Sequence, residues 1–334
     1  MITIKTIAKM AGVSHTTVSR ALNGDPAVKN DTKKKIQKIA LEVGYSPNLR
    51  AKGLVTNKNY TIGLFFSSIE VGTSYTFLTE MIKRLYDQLD QEYMLTVNGI
   101  DELVNYDKAV KARLDGVIVI SQSSKDDEFI NFVNSNKIPL LVMNRLITQK
   151  GVANVAFDEY MGALQLTEYA IKMGHKKFGI IEGLQEFKSS TLRKKAFMDS
   201  IQKAGLTVVP EAIIQGDYQA PSGYQAMKRI LLSSEVPDFV FCGNDDMTIG
   251  AIKACDELNV RVPEDISLIG FDDSMYAKYI NPGLTTVRKP IDQITEVGLQ
   301  VFDQILNNPE YEAGQEIIPP ELIIRNTVKD LTKE

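Results

Sequence analysis

Two groups of side chains in this sequence have the types and spacing to do chemistry. The first lies in GVSHTTVSRALNG, Gly12 to Gly24, a stretch with hydroxyls, one histidine, one arginine and no acid. Ser14 can cap a short helix whose outward positions are His15, Thr16, Ser19 and Arg20. Its inward positions are Thr17, by its methyl, Val18 and Leu22. Short donors and acceptors at the start of such a helix suit base edges in a DNA major groove. An arginine one turn on can reach a guanine or a phosphate.

The second group follows apolar runs that read as buried parallel strands. Ser67 and Ser68 follow Thr61–Phe66, Asn144 and Arg145 follow Leu140–Met143, and Asp158 follows Val152–Phe157. Asn244, Asp245 and Asp246 follow Phe239–Phe241, and Asp272 and Asp273 follow Ser267–Phe271. Open α/β sheets bind ligands outside the carboxyl ends of their strands. Amides and carboxylates with little fixed positive charge predict a neutral, polyhydroxylated ligand. No GxGxxG or GxxxxGK[ST] occurs, which argues against a dinucleotide or nucleoside triphosphate. The acid pairs Asp245/Asp246 and Asp272/Asp273 invite a glycosidase reading. Adjacent residues generally point apart, however, whereas glycoside hydrolysis needs two carboxyls facing each other. With only two histidines, no nucleophilic triad and no metal triad, the expectation is a protein that is not an enzyme and takes no cofactor.

The elements that must position these groups fall into a small head and a long body. Thr3 can cap a first helix with Ile7, Ala8 and Ala11 inward, and Ala11-Gly12-Val13 supplies a turn into the second. Two short helices crossing through such a turn form a helix-turn-helix. A third helix, Asn30 to Val43, repeats Ile36, Ile39, Ala40 and Val43 and closes a three-helix core. Behind the head, further strand-like runs at Met94–Asn98, Gly116–Ile120, Phe178–Ile181 and Ala212–Ile214 alternate with helical stretches. One of these is Thr79–Leu89, with Ile82, Leu85, Tyr86 and Leu89 on one face. Two doubly wound halves around one cleft are the economical α/β reading.

Charge follows the same division. Residues 1–56 hold ten bases against three acids, a net +7, and the remainder holds 28 bases against 39 acids, a net −11. A basic head on an acidic body fits contact with a polyanion at one end; a solvated basic face is the alternative on charge alone. The length of 334 residues and 44% hydrophobic content suit two or three packed domains. No apolar run reaches the ~18 residues of a membrane span. The amphipathic start, MITIKTIAKM, does not look like a secretory signal, so an intracellular protein is expected. Cys242 and Cys255 read as core thiols, and His175 as a residue that orders a turn.

TIKTIAKMAGVSHTTVSRALNG, followed by VGYSPNLRAKGL, resembles the head and hinge of the lactose/galactose repressor family of bacterial transcription regulators. VAFDEYMGA, FCGNDDMTIGA and VRVPEDISLIGFDDS resemble the sensor core of the same family. The resemblance implies a helix-turn-helix head at residues 1–46, a hinge at 47–59 and a two-lobed, periplasmic-binding-protein-like core. The first lobe would comprise 60–159 with return segment 290–318, and the second 160–289 with 319–330. It implies base reading by His15, Thr16 and Arg20, and phosphate contacts by Ser14, Thr17, Ser19 and Asn23. In the hinge, Asn48, Arg50, Ala51 and Lys52 match the family's pattern and Leu54 stands in the register of a minor-groove wedge, while Gly53 departs from the helix formers expected. In the core, Ser189, Arg193, Tyr218, Asn244 and Asp272 match effector-binding positions, Tyr218 as an aromatic stacking on a sugar face. The implied protein is a homodimeric repressor, without the tetramer-forming tail, that reads an inverted-repeat operator and releases it when a sugar binds between the lobes. The alternative is a catabolite-control regulator switched by a phosphorylated carrier protein or corepressor.

Overall fold

The computed structural model describes residues 2–22, 25–45, 58–110, 114–308, 310–312 and 314–333. The chain divides into two compact units, Met1–Tyr60 and Thr61–Glu334.

The first unit contains helices α1 (Ile4–Ala11), α2 (His15–Leu22) and α3 (Asn30–Glu42). Gly12 takes a left-handed conformation, φ +71°, and ends α1, which turns the chain sharply into α2. The Ser14 hydroxyl accepts the Thr17 amide at 3.1 Å and caps α2 as expected. Ile7, Ala8, Ala11, Val18, Ala21, Val28, Ile36 and Ala40 make the core. The inward face of α2 therefore differs from the sequence expectation. Ala21 is buried, while Leu22 and Thr17 are only half-buried. Lys35 donates to the Ala11 carbonyl at 3.0 Å and ties α3 to the negative end of α1.

The second unit is built on two parallel sheets. The strands of the first are β1 (Thr61–Phe66), β2 (Met94–Gly99), β3 (Gly116–Ile120), β4 (Leu140–Asn144), β5 (Ala153–Phe157) and β11 (Gln315–Ile318), in the order β11-β5-β4-β3-β1-β2. The second sheet orders β7 (Thr207–Gln215), β6 (Lys177–Glu182), β8 (Phe239–Cys242) and β9 (Ser267–Ile269). A two-stranded antiparallel pair, β10 (Thr286–Arg288) with β12 (Glu321–Ile323), accompanies them. Strands β1, β3, β4, β5 and β8 are buried almost throughout, because helices cover both faces of a parallel sheet. This explains why their sequences are continuous apolar runs.

Helices α4 (Tyr75–Gln88), α5 (Tyr106–Val110), α6 (Asp127–Ser135) and α11 (Ile291–Asn307) serve the first lobe. Helices α7 (Glu159–Lys172), α8 (Lys188–Lys203), α9 (Ala220–Leu231) and α10 (Asp245–Glu257) serve the second. In α4 the helix starts four residues earlier than expected and turns Phe77, Leu78, Met81 and Leu85 inward. Tyr86, expected on that face, is 71% exposed. Cys242 and Cys255 are free, buried core thiols. His175 joins the Asp238 carboxylate at 3.1 Å to the Lys329 carbonyl at 3.2 Å, which orders the turn before β6.

Helices α9 and α10 cross at very short range through two glycines. A Cβ on Gly250 would stand 1.9 Å from the Ala220 carbonyl oxygen, and one on Gly223 would stand 2.1 Å from that of Met247. Both obstacles are backbone and cannot swing aside. Gly250→Ala is therefore expected to destabilise the core by about 3 kcal/mol, read as a lower urea midpoint of its unfolding transition. An unchanged midpoint would contradict this packing.

Candidate functional site

On the first unit, α2 presents His15, Thr16 and Arg20 to solvent, with Ser14 exposed and Thr17 and Ser19 half-buried. The Thr17 hydroxyl lies 2.9 Å from that of Ser14, so both are partly engaged within the helix start. Arg20 is 3.7 Å from Asp25, but its side chain is 60% exposed and stays available. Asn23, Asn48, Arg50, Ala51 and Leu54 lie outside the described residues, as do Lys52 and Gly53.

The second unit carries a cleft between its two sheets. Its inner part, about 30 Å³, is lined by Gly72, Ser74, Phe77, Gln122, Asn144, Ser189, Arg193, Tyr218, Asn244, Asp272 and Lys289. The outer part, about 300 Å³, shares Gln122, Asn144 and Ser189 and adds Arg145, Asp158, Glu159, Tyr160, Lys188 and apolar neighbours. Strand ends and helix starts from both lobes thus converge as the α/β rule expects.

An ionic cluster organises the cleft. The Arg193 Nε and Nη2 atoms reach Glu159 at 2.7 and 2.6 Å, and Lys289 Nζ reaches the same carboxylate at 3.2 Å. The Arg193 guanidinium also covers the Phe271 ring at 3.6 Å and stands 3.8 Å from Asp272. Burial pushes Glu159 up, but the two cations outweigh it and hold its carboxyl below the usual range. Asp272 has no partner that close among the described residues, and burial pushes it up to about 7 against the pull of Arg193 and Lys289.

Eight of the nine expected ligand residues line the cleft, but several are already engaged. Ser67 lines neither part: its hydroxyl donates to Asp126 at 2.6 Å and accepts the Gln122 amide at 2.7 Å, so it shapes the loop. Asn244 spends its amide on caps, accepting the Met247 amide at 3.0 Å and donating to the Tyr218 carbonyl at 3.0 Å. Tyr218, expected as an aromatic stacking on a sugar face, lines the inner cavity but is buried, stacked on Phe187 and set against the Gly183 backbone. Its hydroxyl meets Ser189 at 3.1 Å. Asp158 caps α7 through the Met161 amide, and Arg145 is bonded to Ser121 and Asp127. Asn144 is different. Its Nδ2 donates to the Ser121 carbonyl, while its buried Oδ1 has no partner among the described residues.

Lys289, Lys188, Glu159, Gln122 and Phe77 were missed at the sequence level. Lys289 follows β10 directly, so the strand-end signal was there, but this three-residue strand has no long apolar run to announce it. The expectation of little fixed positive charge is corrected: Arg193, Lys289, Lys188 and Arg145 all line the cleft. The acid pairs do diverge. Asp245 holds Thr286 and the Ser274 amide, Asp246 holds Thr76, and Asp273 pairs with Arg288 and Arg325.

An exposed α2 on a basic three-helix head, followed along the chain by a two-lobed cleft unit, is the make-up of a DNA-binding regulator. The chain matches bacterial regulatory proteins of the lacI family over residues 3–48 and a periplasmic binding protein-like domain over residues 167–328. ExuR of Bacillus subtilis (strain 168), named a probable HTH-type transcriptional repressor, is 43% identical over 332 residues, covering 99% of this chain and 100% of ExuR. The lac repressor dimer bound to operator and the anti-inducer ONPF shares the fold, with a TM-score of 0.79 at 24% identity over 98% of this chain and 99% of that one. The regulator CelR in complex with cellobiose gives a TM-score of 0.71 at 21% identity, covering 98% and 100%. The chain belongs to the lacI family of bacterial regulatory proteins. It is a transcriptional regulator and not an enzyme.

Because Asp272 holds its proton more tightly folded than unfolded, it favours folding below the unfolded carboxyl value, near ~4, and loses that contribution as pH rises toward about 7. Asp272→Asn is expected to flatten this fall in stability between those pH values, measured by chemical unfolding at several pH values. An identical pH slope in the two proteins would contradict the assignment.

Proposed function

We propose that the chain is a repressor that reads an inverted-repeat operator as a homodimer and lets it go when a polyhydroxylated, sugar-like small molecule occupies the interlobe cleft. The observation that carries the DNA half is the α2 surface, where His15, Thr16 and Arg20 are exposed on a head of net charge +7 over residues 1–56. In this reading residues 1–46 form the reader and residues 47–59 connect it to the core. The core lobes are 60–159 with 290–318 and 160–289 with 319–330. His15, Thr16 and Arg20 face bases; Ser14, Thr17 and Ser19 face phosphates.

The cleft half rests on the mixture of groups at the inner cavity. Asn144 offers a fixed acceptor, Asp272 a carboxyl that changes charge near neutral pH, and Arg193 and Ser189 donors. Such alternating donors and acceptors suit vicinal hydroxyls. The outer cavity, about 300 Å³, is at the lower end of typical small-ligand sites. The relative ExuR is named a repressor, the lac repressor structure is a dimer on operator, and CelR is held with cellobiose.

Dimerisation has its own support. Tyr75, Met275, Tyr276 and Tyr279 are 65%, 63%, 51% and 73% exposed. Tyr75 precedes Thr76, which bonds Asp246, while Met275 and Tyr276 follow Ser274, whose amide bonds Asp245. Large apolar side chains left exposed in this way suit a two-fold contact with a second copy. The protein would act in the cytoplasm, where its operator is.

Selection of random duplex DNA by the purified protein tests the reading, and an enriched inverted repeat is the expected result. On that repeat, Arg20→Ala and Thr16→Ala should each weaken binding by about 1–3 kcal/mol and relax preference at single base pairs. Since both side chains are exposed, the folded head should keep its helical circular dichroism. Recovery of no common sequence would contradict the proposal.

A further inference from the structure

The two lobes are joined across the cleft by contacts that differ greatly in strength. Lys125 pairs with Glu186, but these side chains are 76% and 42% exposed, so the pair is worth little. The Lys188 amide donates to the Gln122 carbonyl at 2.9 Å, and the Gln219 side chain donates to the Thr73 carbonyl at 2.9 Å. Both are neutral hydrogen bonds. The ionic cluster of Glu159 with Arg193 and Lys289 sits at the chain crossing itself; away from the crossing, the contact between Thr76 and Asp246 is of another kind. The Thr76 hydroxyl, on the first turn of α4, reaches both carboxylate oxygens of Asp246 at 2.9 and 3.2 Å, and Asp246 lies on the first turn of α10. A carboxylate acceptor makes a hydrogen bond roughly twice as strong as a neutral one. It also stands at the positive ends of two helices at once, one from each lobe.

Neither residue lines the inner or outer cavity. A small molecule in the cleft therefore has no need to touch this contact. Burial pushes the Asp246 carboxyl up, while the hydroxyls of Thr76 and Ser74 hold it back. The surrounding caps keep the geometry rigid: Ser74 accepts the Phe77 amide at the start of α4, and Asn244 accepts the Met247 amide at the start of α10.

We propose that Thr76 and Asp246 form an interlobe clasp that favours the closed core by protein contacts alone, so that the ligand tunes a closing equilibrium already biased by the chain itself. The clasp deepens the cleft reading above and rests on it for the meaning of closure.

The test is single-molecule energy transfer on the full chain, with dyes on Asn134→Cys in the first lobe and Lys203→Cys in the second. A doubly labelled chain is mixed with excess unlabelled protein. The native Cys242 and Cys255 are buried with thiols pushed up to about 12, so they stay unlabelled. Thr76→Val, which removes the hydroxyl and keeps the shape, should lower the closed-to-open ratio about tenfold. Thr76→Ser should restore it. Asp246→Ala should open the core at least as far as Thr76→Val, because it also removes the Ser74 contact, and the double variant no further than Asp246→Ala, because the Thr76 bond is already lost there. Equal distance distributions for the parent and Thr76→Val, or opening by Thr76→Ser as large as by Thr76→Val, would overturn the clasp. The measurement uses neither DNA nor ligand, so its failure would leave the operator reading standing.

Discussion

The cleft depends on one buried carboxylate. Glu159 lies where the chain passes from the first sheet to the second, and it gathers Arg193 from α8 and Lys289 from the segment after β10. All three are at least nine-tenths buried. Taking these charges out of water is costly, and only their mutual contact makes it tolerable. Removing one partner from such an arrangement typically costs about 3–5 kcal/mol. The cations that line the cleft are thus the ones that stabilise the crossing. Arg193 is further fixed by the Gly243 carbonyl and the Phe271 ring, which leaves its orientation little freedom. Asp272, left without a tight partner beside it, becomes the group whose charge is free to change.

This arrangement explains why the inner cavity is small while the cleft is rich in polar groups. Much of the polar inventory is employed in holding loops: Ser67 anchors the Gln122 turn, Asn244 caps α10, and Asp158 caps α7. The polar groups lining the inner cavity that are not spent in this way form a short set, with Asn144 Oδ1, Asp272 and the Arg193 edge foremost. A pre-organised set of this kind limits the entropy lost on binding and favours selectivity over breadth. The head follows the same economy in miniature, since Ser14 and Thr17 serve the helix start and leave His15, Thr16 and Arg20 outward.

The sequence conveyed the architecture far better than the allocation of hydrogen bonds. Runs such as Thr61–Phe66 and Gly116–Ile120 coincide with strands because a parallel sheet buried on both faces demands uninterrupted apolar residues. The edge strand β7, with an interrupted burial pattern over Thr207–Gln215, was legible only as Ala212–Ile214. In α4, placing the start at Thr79 rather than Tyr75 assigned Tyr86 to the wrong face, since Phe77 and Leu78 were left out of the periodic count. Strand-end logic placed Asn144 and Asp272 at the cleft, and the family pattern placed Arg193 there. Neither could show that Ser67 is held by Asp126 and Gln122 or that Asn244 donates to the Tyr218 carbonyl, because these partners lie far away in sequence. Lys289 went unnoticed for a related reason: its role comes from a contact with Glu159, 130 residues away.

The central claim is that the cleft and the operator-reading head act on each other. Linkage requires the effect to be reciprocal in binding free energy. The most direct measurement takes a compound that raises the melting temperature of the core and determines its dissociation constant with the operator duplex absent and saturating. The operator's dissociation constant is measured likewise, with the compound absent and saturating. The account predicts that both affinities fall by the same factor, several-fold or more. A compound that occupies the cleft, shown by weakened binding in Ser189→Ala, while leaving operator affinity unchanged would contradict it.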